Sequence, residues 1–80
     1  MILMENRIIA YALLNISVGK EYDVINKLNT IENIAEAHIV YGEYDIIVKI
    51  EAPTLKSLEK TVMSIRKIPG VIRSTTLIST

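Results

Sequence analysis

Side chains able to perform catalysis are scarce in this sequence of 80 residues. His38 is the only histidine and cysteine is absent, which excludes a thiolate zinc site, an iron–sulfur cluster and a cysteine nucleophile. No serine has a histidine and an acid at a recognisable spacing, and the Gly19-Lys20 pair lacks the spacing of a P-loop. We therefore predict no catalytic residue, no metal and no cofactor, and we interpret His38 as a structural residue of a strand.

Two other groups of residues have the chemistry to bind a small zwitterion. One is the turn 41–45, which reads Tyr-Gly-Glu-Tyr-Asp, and the other is the hydroxyl run Ser74-Thr75-Thr76. Free backbone N–H groups and hydroxyls can donate to a carboxylate, and an acidic side chain can accept from an ammonium group. Threonine is also favoured in strands, and charged turns are commonly solvated. The residues alone leave both interpretations open.

Hydrophobic spacing predicts six elements that would position these groups. Ser17 is a suitable N-cap for a first helix, with a start one or two residues later as the alternative, and Gly42 supplies a permissive backbone for a hairpin turn. Thr54 is a suitable N-cap for a second helix, because Pro53 cannot continue the preceding strand. The apolar stripe of that helix is Leu55, Leu58, Val62 and Ile65. We predict strands over 7–16, 35–41, 44–51 and 71–79, a helix over 20–29, and a second helix from 54 to the Pro-Gly pair at 69–70.

The order β-α-β-β-α-β is that of the ferredoxin-like split βαβ unit. Right-handed crossovers then place both helices on one face of a four-stranded antiparallel sheet. We therefore predict an α+β ferredoxin-like sandwich, formed by a single domain over residues 1–80.

The composition predicts a partner for the other face of the sheet. Half of the residues are hydrophobic, and the first strand is apolar on both faces, since Ile9, Tyr11 and Leu13 point away from Ile8, Ala10, Ala12, Leu14 and Ile16. A large apolar patch usually marks an interface, here most simply with a second copy across a two-fold axis. The zero net charge argues against direct nucleic-acid binding. The uncharged stretch 8–19 is too short to span a bilayer, so we predict a cytoplasmic oligomer that does not enter a membrane.

Two segments of the sequence resemble a known family. Residues 37–49 resemble the central hairpin of the Lrp/AsnC effector-binding domain, whose G-x-Y-D turn is present as Gly42, Tyr44 and Asp45. Residues 68–76 resemble its last-strand segment, with Ser74 where the family commonly has threonine. The resemblance extends from about residue 8 to about residue 78, and it is specific because both motifs occur in order on the predicted elements.

The resemblance implies a binding module and not an enzyme. It implies the dimeric α+β barrel arrangement, with two sheets packed face to face, and further assembly into rings of eight subunits. An amino-acid effector would bind between dimers, and a full-length Lrp/AsnC regulator is a potential partner. The first strand begins too early for a helix-turn-helix to precede it, so we expect no DNA-binding domain. The implied ligand contacts are Gly42, Tyr44, Asp45, Ser74 and Thr76, with Tyr41 and Glu43 as secondary candidates.

Two alternatives remain at this point. One is a small enzyme of the dimeric α+β barrel type, an oxygenase or isomerase that uses a cavity between sheet and helices. His38 is its only histidine candidate, so the position of this side chain distinguishes the two functions. The other alternative is an oligomerisation partner that binds no ligand.

Overall fold

The computed structural model describes residues 7–79. Four strands and two helices follow the order βαββαβ. Within the described residues, neither helix is long and apolar enough to cross a membrane. The elements are β1 (Ile8–Ile16), α1 (Glu21–Leu28), β2 (Ile34–Ile39), β3 (Ile46–Ala52), α2 (Leu55–Arg66) and β4 (Val71–Ile78).

The strands form one antiparallel sheet in the order β2-β3-β1-β4. Ala12 of β1 lies opposite Val48 of β3 on one side and opposite Thr76 of β4 on the other. The edge strands are therefore β2 and β4, and both helices pack on the same face of the sheet. This arrangement confirms the predicted ferredoxin-like fold.

The hydrophobic core lies between this face and the helices. Alternate residues of β1 and β3 point toward the helices, since side chains along a strand alternate between its two faces. Complete burial of a leucine or isoleucine side chain contributes about 1.5–3 kcal/mol, so these residues hold the helices on the sheet. The largest fully buried side chains are Leu14, Val24, Leu28, Ile46, Val48, Ile50 and Ile65.

The two helices begin differently. The hydroxyl of Thr54 accepts a hydrogen bond of 3.1 Å from the Ser57 N–H, which confirms the predicted N-cap of α2. The predicted N-cap of α1, Ser17, was wrong, because Lys20 occupies the N-cap position and makes no side-chain capping bond. Ser17 lies three residues too early to cap, and its carbonyl instead accepts the Lys20 N–H at 3.0 Å.

The buried stripe of α2 also differs from the predicted stripe. It is centred on Leu58, Thr61 and Ile65, whereas Leu55 is 51% exposed. Leu55 is the first residue of the helix and lies at the rim of a groove between α2 and β4. Thr61 is almost fully buried, and its hydroxyl is hydrogen-bonded to Asn33 and to the Glu32 carbonyl. A polar side chain can occupy the core when its hydrogen bonds are made.

The face of the sheet opposite the helices, the open face, has an apolar centre. Ile9, Tyr11 and Leu13 of β1 are half-buried there, beside Ile47 of β3 and Leu77 of β4. Charged side chains from β2 and β3 lie around this centre. They are Glu36, His38, Lys49 and Glu51.

Candidate functional site

The turn between β2 and β3 is fixed to the end of β1 by Asp45. Its carboxylate accepts the Ile16 N–H at 2.8 Å, and its own N–H donates to the Leu14 carbonyl at 2.8 Å. The register of β1 against β4 shifts between Asn15 and Ile16, so the Asp45 carboxylate binds an N–H beside a ladder irregularity. One role of Asp45 is therefore to position the turn.

The rest of the turn is held by its backbone and presents Tyr41 to solvent. The Asn15 side-chain amide donates to the Glu43 carbonyl at 2.9 Å, and the Val40 N–H donates to the Asp45 carbonyl at 2.9 Å. Gly42 has a φ of 135°, a conformation that residues with a Cβ rarely adopt. Tyr41 is fully exposed. β2 ends at Ile39 and β3 begins at Ile46, whereas the predicted strands reached residues 41 and 44. Both strands are therefore shorter at the turn than predicted.

A groove of about 260 Å³ lies between this turn and the start of α1. Two carboxylates line it, from Glu21 and Asp45, and no basic side chain does. Such a groove favours an ammonium group, which can donate three hydrogen bonds to carboxylates and hydroxyls. Its lining residues are Glu21, Tyr22, Ile39, Val40, Tyr41 and Asp45.

The hydroxyls of β4 lie on the other side of β1. Ser74 pairs with Leu14 and Thr76 pairs with Ala12, both core residues, so the two hydroxyls face the helices. Ser74 Oγ and Thr76 Oγ1 are buried and have no hydrogen-bond partner among residues 7–79. Buried polar atoms without a partner are rare in native proteins, and each requires an explanation.

Thr76 lines a second groove, of about 390 Å³, between α2 and β4. Most of its lining is apolar, and Arg66 supplies a guanidinium group able to bind a carboxylate with two parallel hydrogen bonds. The groove therefore combines a cation, a hydroxyl and an apolar wall. Its lining residues are Leu55, Leu58, Glu59, Val62, Met63, Arg66, Thr76 and Ile78.

The residues singled out in the sequence thus fall into two groups within one chain. Tyr41 and Asp45 line the groove beside α1, whereas Thr76 lines the groove beside α2. Ser74 pairs with Leu14, whose carbonyl accepts the Asp45 N–H, but Ser74 lines neither groove. Gly42, Glu43 and Tyr44 shape the turn without lining either groove.

Sequence reasoning missed the contribution of the helices. Glu21 and Tyr22 come from the first turn of α1, and Arg66 and Met63 come from the last turns of α2. Charged residues at helix ends are common for reasons of the helix dipole, so their types gave no signal. Only the packing of α2 over β4 brings Arg66 and Thr76 to one groove.

His38 lies on the open face, away from the layer between sheet and helices. It pairs with Ile47 across the strands and is 62% exposed. Its Nε2 atom lies 3.0 Å from the Glu36 carboxylate, and this hydrogen bond lowers the pKa of Glu36, with smaller contributions from the charges of Lys49 and His38. Tyr11, Glu36, Ile47 and Lys49 complete a depression of about 220 Å³ around it. His38 therefore does not line a cavity between the sheet and the helices.

Comparison with known proteins identifies relatives by sequence. The profile of the family described as the Lrp/AsnC ligand binding domain matches residues 10–80. The HTH-type transcriptional regulator FL11 of Pyrococcus abyssi is 33% identical over 70 residues, which are 88% of this chain and 46% of FL11. The chain spans about half the length of the curated relatives that it matches.

Two solved structures resemble the whole described fold at 40% sequence identity. The crystal structure of FFRP-DM1 superimposes with a TM-score of 0.86 and covers 91% of this chain and 99% of that one. The hypothetical protein PHS023 from Pyrococcus horikoshii superimposes with a TM-score of 0.85 and covers 91% of this chain and 89% of that one. The same two helices over a four-stranded sheet thus recur in chains of similar sequence.

Proposed function

This chain belongs to the Lrp/AsnC ligand-binding domain family, and on that premise we propose that it is a non-enzymatic module that binds an amino-acid effector and oligomerises. Relatives are named as transcriptional regulators, which points to a regulatory role. Domains of this family oligomerise and bind amino-acid effectors. A full-length Lrp/AsnC regulator is the proposed macromolecular partner.

The observation that carries the proposal is the unpaired hydroxyl of Thr76 in the groove beside Arg66. Its Oγ1 atom is buried without a hydrogen bond, which costs about 1–3 kcal/mol unless a partner arrives. In the proposed complex the Arg66 guanidinium binds the α-carboxylate, and a rotation of the Thr76 side chain about χ1 turns Oγ1 into the groove, where it donates to the same carboxylate. Leu55, Val62 and Met63 then contact the effector's apolar side chain.

The ammonium group of the effector requires a second position. Glu21 and Asp45 provide two carboxylates, but they belong to the groove on the other side of β1. One small amino acid does not reach both grooves of one chain. We therefore place the complete site between dimers, where the turn of one copy approaches the α2–β4 groove of another.

The open face is the proposed dimer contact. Its apolar centre of Ile9, Tyr11, Leu13 and Ile47 would be covered by the same face of a second copy. Burial of about 1,000 Å² of apolar surface would contribute on the order of 25 kcal/mol before the entropic cost of association. Four such dimers would form the proposed ring of eight.

The alternative of an α+β barrel enzyme depended on His38 in a cavity under the helices. His38 instead lies on the open face beside Glu36. In a dimer packed through that face it becomes an interface residue, which supports a binding module over a catalyst.

The test is a thermal-shift and light-scattering screen of the standard amino acids. A ligand at 100 times its Kd stabilises the folded chain by about 2.7 kcal/mol, which raises Tm measurably. Thr76→Val should abolish the response. Thr75→Val is the matched control, since Thr75 pairs with Leu13 on the open face and should keep the response. No shift in Tm or in oligomer size with any amino acid would refute effector binding.

A further inference from the structure

The α2–β4 groove contains an anion as well as a cation. Glu59 and Arg66 both line it, and they lie two helical turns apart on α2, which is about 10 Å along the helix axis. Side chains on a helix meet at spacings of three or four residues, so these two charges are held apart. Neither forms an ion pair within residues 7–79. The groove therefore has a negative and a positive end, with Val62 and Met63 between them.

The free edge of β4 borders the same groove. β4 pairs with β1 on one side, and no strand of the described residues pairs with its other edge. The Ser79 N–H donates to the Ile9 carbonyl at 2.8 Å, so Ser79 belongs to the hydrogen-bonded pairs of the ladder. Bonded and non-bonded pairs alternate along antiparallel strands, so the N–H and C=O groups of Thr76 and Ile78 point away from β1. Both residues line the groove.

We propose that the α2–β4 groove binds a short linear peptide, of two or three residues with free termini, as an added strand on the edge of β4. The peptide carboxylate binds Arg66 and Thr76, its ammonium group binds Glu59, and its backbone pairs with the free edge. The inference rests on the proposed function only in assigning Arg66 and Thr76 to a carboxylate. It enlarges the ligand class from free amino acids to short peptides, and it needs no second copy of the chain.

The separation of the two charges selects the length of the ligand. An α-amino acid carries its ammonium and carboxylate groups on one Cα atom, so it is too short to contact both Glu59 and Arg66. An extended chain spans about 3.5 Å per residue, so a dipeptide covers about 7 Å and a tripeptide about 10 Å. For a dipeptide, the two long side chains lean inward to cover the remaining distance. A tetrapeptide, at about 14 Å, places one of its termini beyond the charged ends of the groove.

The direction of the chain and the lining of the groove also suit a peptide. β4 begins shortly after α2 ends, so the two elements run in opposite directions. A peptide that runs from Glu59 to Arg66 is therefore antiparallel to β4, which is the more stable pairing of strands. Leu55, Val62 and Met63 favour apolar side chains on the peptide. The groove volume of about 390 Å³ lies within the range of about 300–1,000 Å³ that is usual for small-molecule sites.

Calorimetric titration with the tripeptide leucyl-alanyl-leucine tests the two charged ends. The tripeptide should bind the wild-type chain, and N-acetylation should weaken it by about tenfold because the charge-assisted hydrogen bond to Glu59 is lost. Glu59→Gln should weaken the free tripeptide by a similar factor and leave the acetylated one unchanged, since either change removes the same interaction. Glu32→Gln is the matched control, because Glu32 is exposed outside the groove, and it should bind like the wild-type chain.

Amide hydrogen exchange tests the pairing with β4. The tripeptide should slow the exchange of the Thr76 N–H, which points away from β1. The N–H groups of Thr75 and Leu77 are the internal controls, since the ladder with β1 already protects them. A free amino acid bound through its carboxylate adds no strand, so it should leave this pattern unchanged.

The inference would be overturned by a chain that binds a free amino acid but not the tripeptide. Tripeptide binding that neither N-acetylation nor Glu59→Gln weakens would exclude the assignment of the ammonium group, and unchanged exchange at Thr76 in the saturated complex would exclude strand addition. These results are separate from the amino-acid screen. If free amino acids fail in that screen and the tripeptide binds as described, the proposed effector is wrong and the peptide site stands, whereas a chain that binds neither overturns both.

Discussion

Two pairs of hydroxyl side chains lie around α2, and their hydrogen bonds differ. Ser57 and Thr61 accept hydrogen bonds from the Asn33 side chain at 2.8 and 3.1 Å, and Thr61 also donates to the Glu32 carbonyl at 3.2 Å. Ser74 Oγ and Thr76 Oγ1, on the strand beside the same helix, are buried and accept or donate no hydrogen bond within the part of the chain that the structure describes. The first pair holds the chain between α1 and β2 against α2. Of the second pair, only Thr76 lines a groove, and the proposed function assigns its hydroxyl to the ligand.

Each pair consists of one serine and one threonine. The pairs differ in whether their hydroxyls are hydrogen-bonded. A satisfied network stabilises the fold, so its removal should lower stability. A buried hydroxyl without a partner costs stability, so an isosteric apolar replacement should be tolerated or should stabilise the fold. Thr61→Val and Thr76→Val test this difference directly, and substitutions at Asp45 and His38 bracket it with a larger and a smaller expected effect.

The largest effect is expected at Asp45, whose carboxylate binds the part-buried Ile16 N–H. Asp45→Ala removes a charge-assisted hydrogen bond and should lower the free energy of unfolding by about 2–3 kcal/mol. Asp45→Asn is the control, since its amide oxygen can still accept, and it should lose clearly less. Urea denaturation of the two variants measures the difference. Equal losses would show that the hydrogen bond to Ile16 does not fix the turn.

A smaller loss is expected at Thr61. Thr61→Val keeps the shape of the side chain but leaves the Glu32 carbonyl and one Asn33 donor bond unsatisfied. We expect a loss of about 1–2 kcal/mol, which lowers Tm by roughly 4–16 °C in a domain of this size. Calorimetry at fixed protein concentration measures it. An unchanged Tm would remove the distinction between the two hydroxyl pairs.

A near-zero change in stability is expected for the same substitution at Thr76. Thr76→Val replaces an unpaired buried hydroxyl with a methyl group, so the free energy of unfolding should change by less than about 0.5 kcal/mol or rise. Thr61→Val and Thr76→Val are the same change of side chain. They differ only in the surroundings of the hydroxyl that is removed. A loss as large as that at Thr61 would mean that the Thr76 hydroxyl supports the fold, and its assignment to the effector site would fail.

The order of elements was predictable from the sequence because each element has its own hydrophobic period. The centre of the buried stripe of α2 was not predictable in the same way. Counting apolar residues selects Leu55 and Val62, whereas burial is centred on Thr61, a polar residue that Asn33 satisfies from 28 positions away. Hydropathy carries no information about such long-range hydrogen bonds.

The candidate site shows the same limit. Sequence resemblance directed attention to Asp45 and Thr76, and short-range patterns suggested a turn and a strand around them. The partners of these residues come from distant positions: Ile16 is 29 residues from Asp45, and Arg66 reaches Thr76 only through the packing of α2 on β4. Asp45 and Thr76 line different grooves because β1 lies between their strands in the sheet. A short sequence motif does not predict this strand order.

The smallest effect is expected at the exposed pair Glu36–His38, where solvent screens the charges. The hydrogen bond from His38 is the main cause of the lowered pKa of Glu36. A carboxyl whose folded pKa is depressed contributes stability above its unfolded pKa, and that contribution disappears as the pH falls through the folded pKa. His38→Ala should therefore raise the pKa of Glu36 toward its ordinary value and flatten the acid side of the stability profile, while His38→Gln, which keeps a donor, should move it less. Carboxyl NMR titration measures both, and an unmoved Glu36 pKa in His38→Ala would mean that Lys49, and not His38, sets its charge.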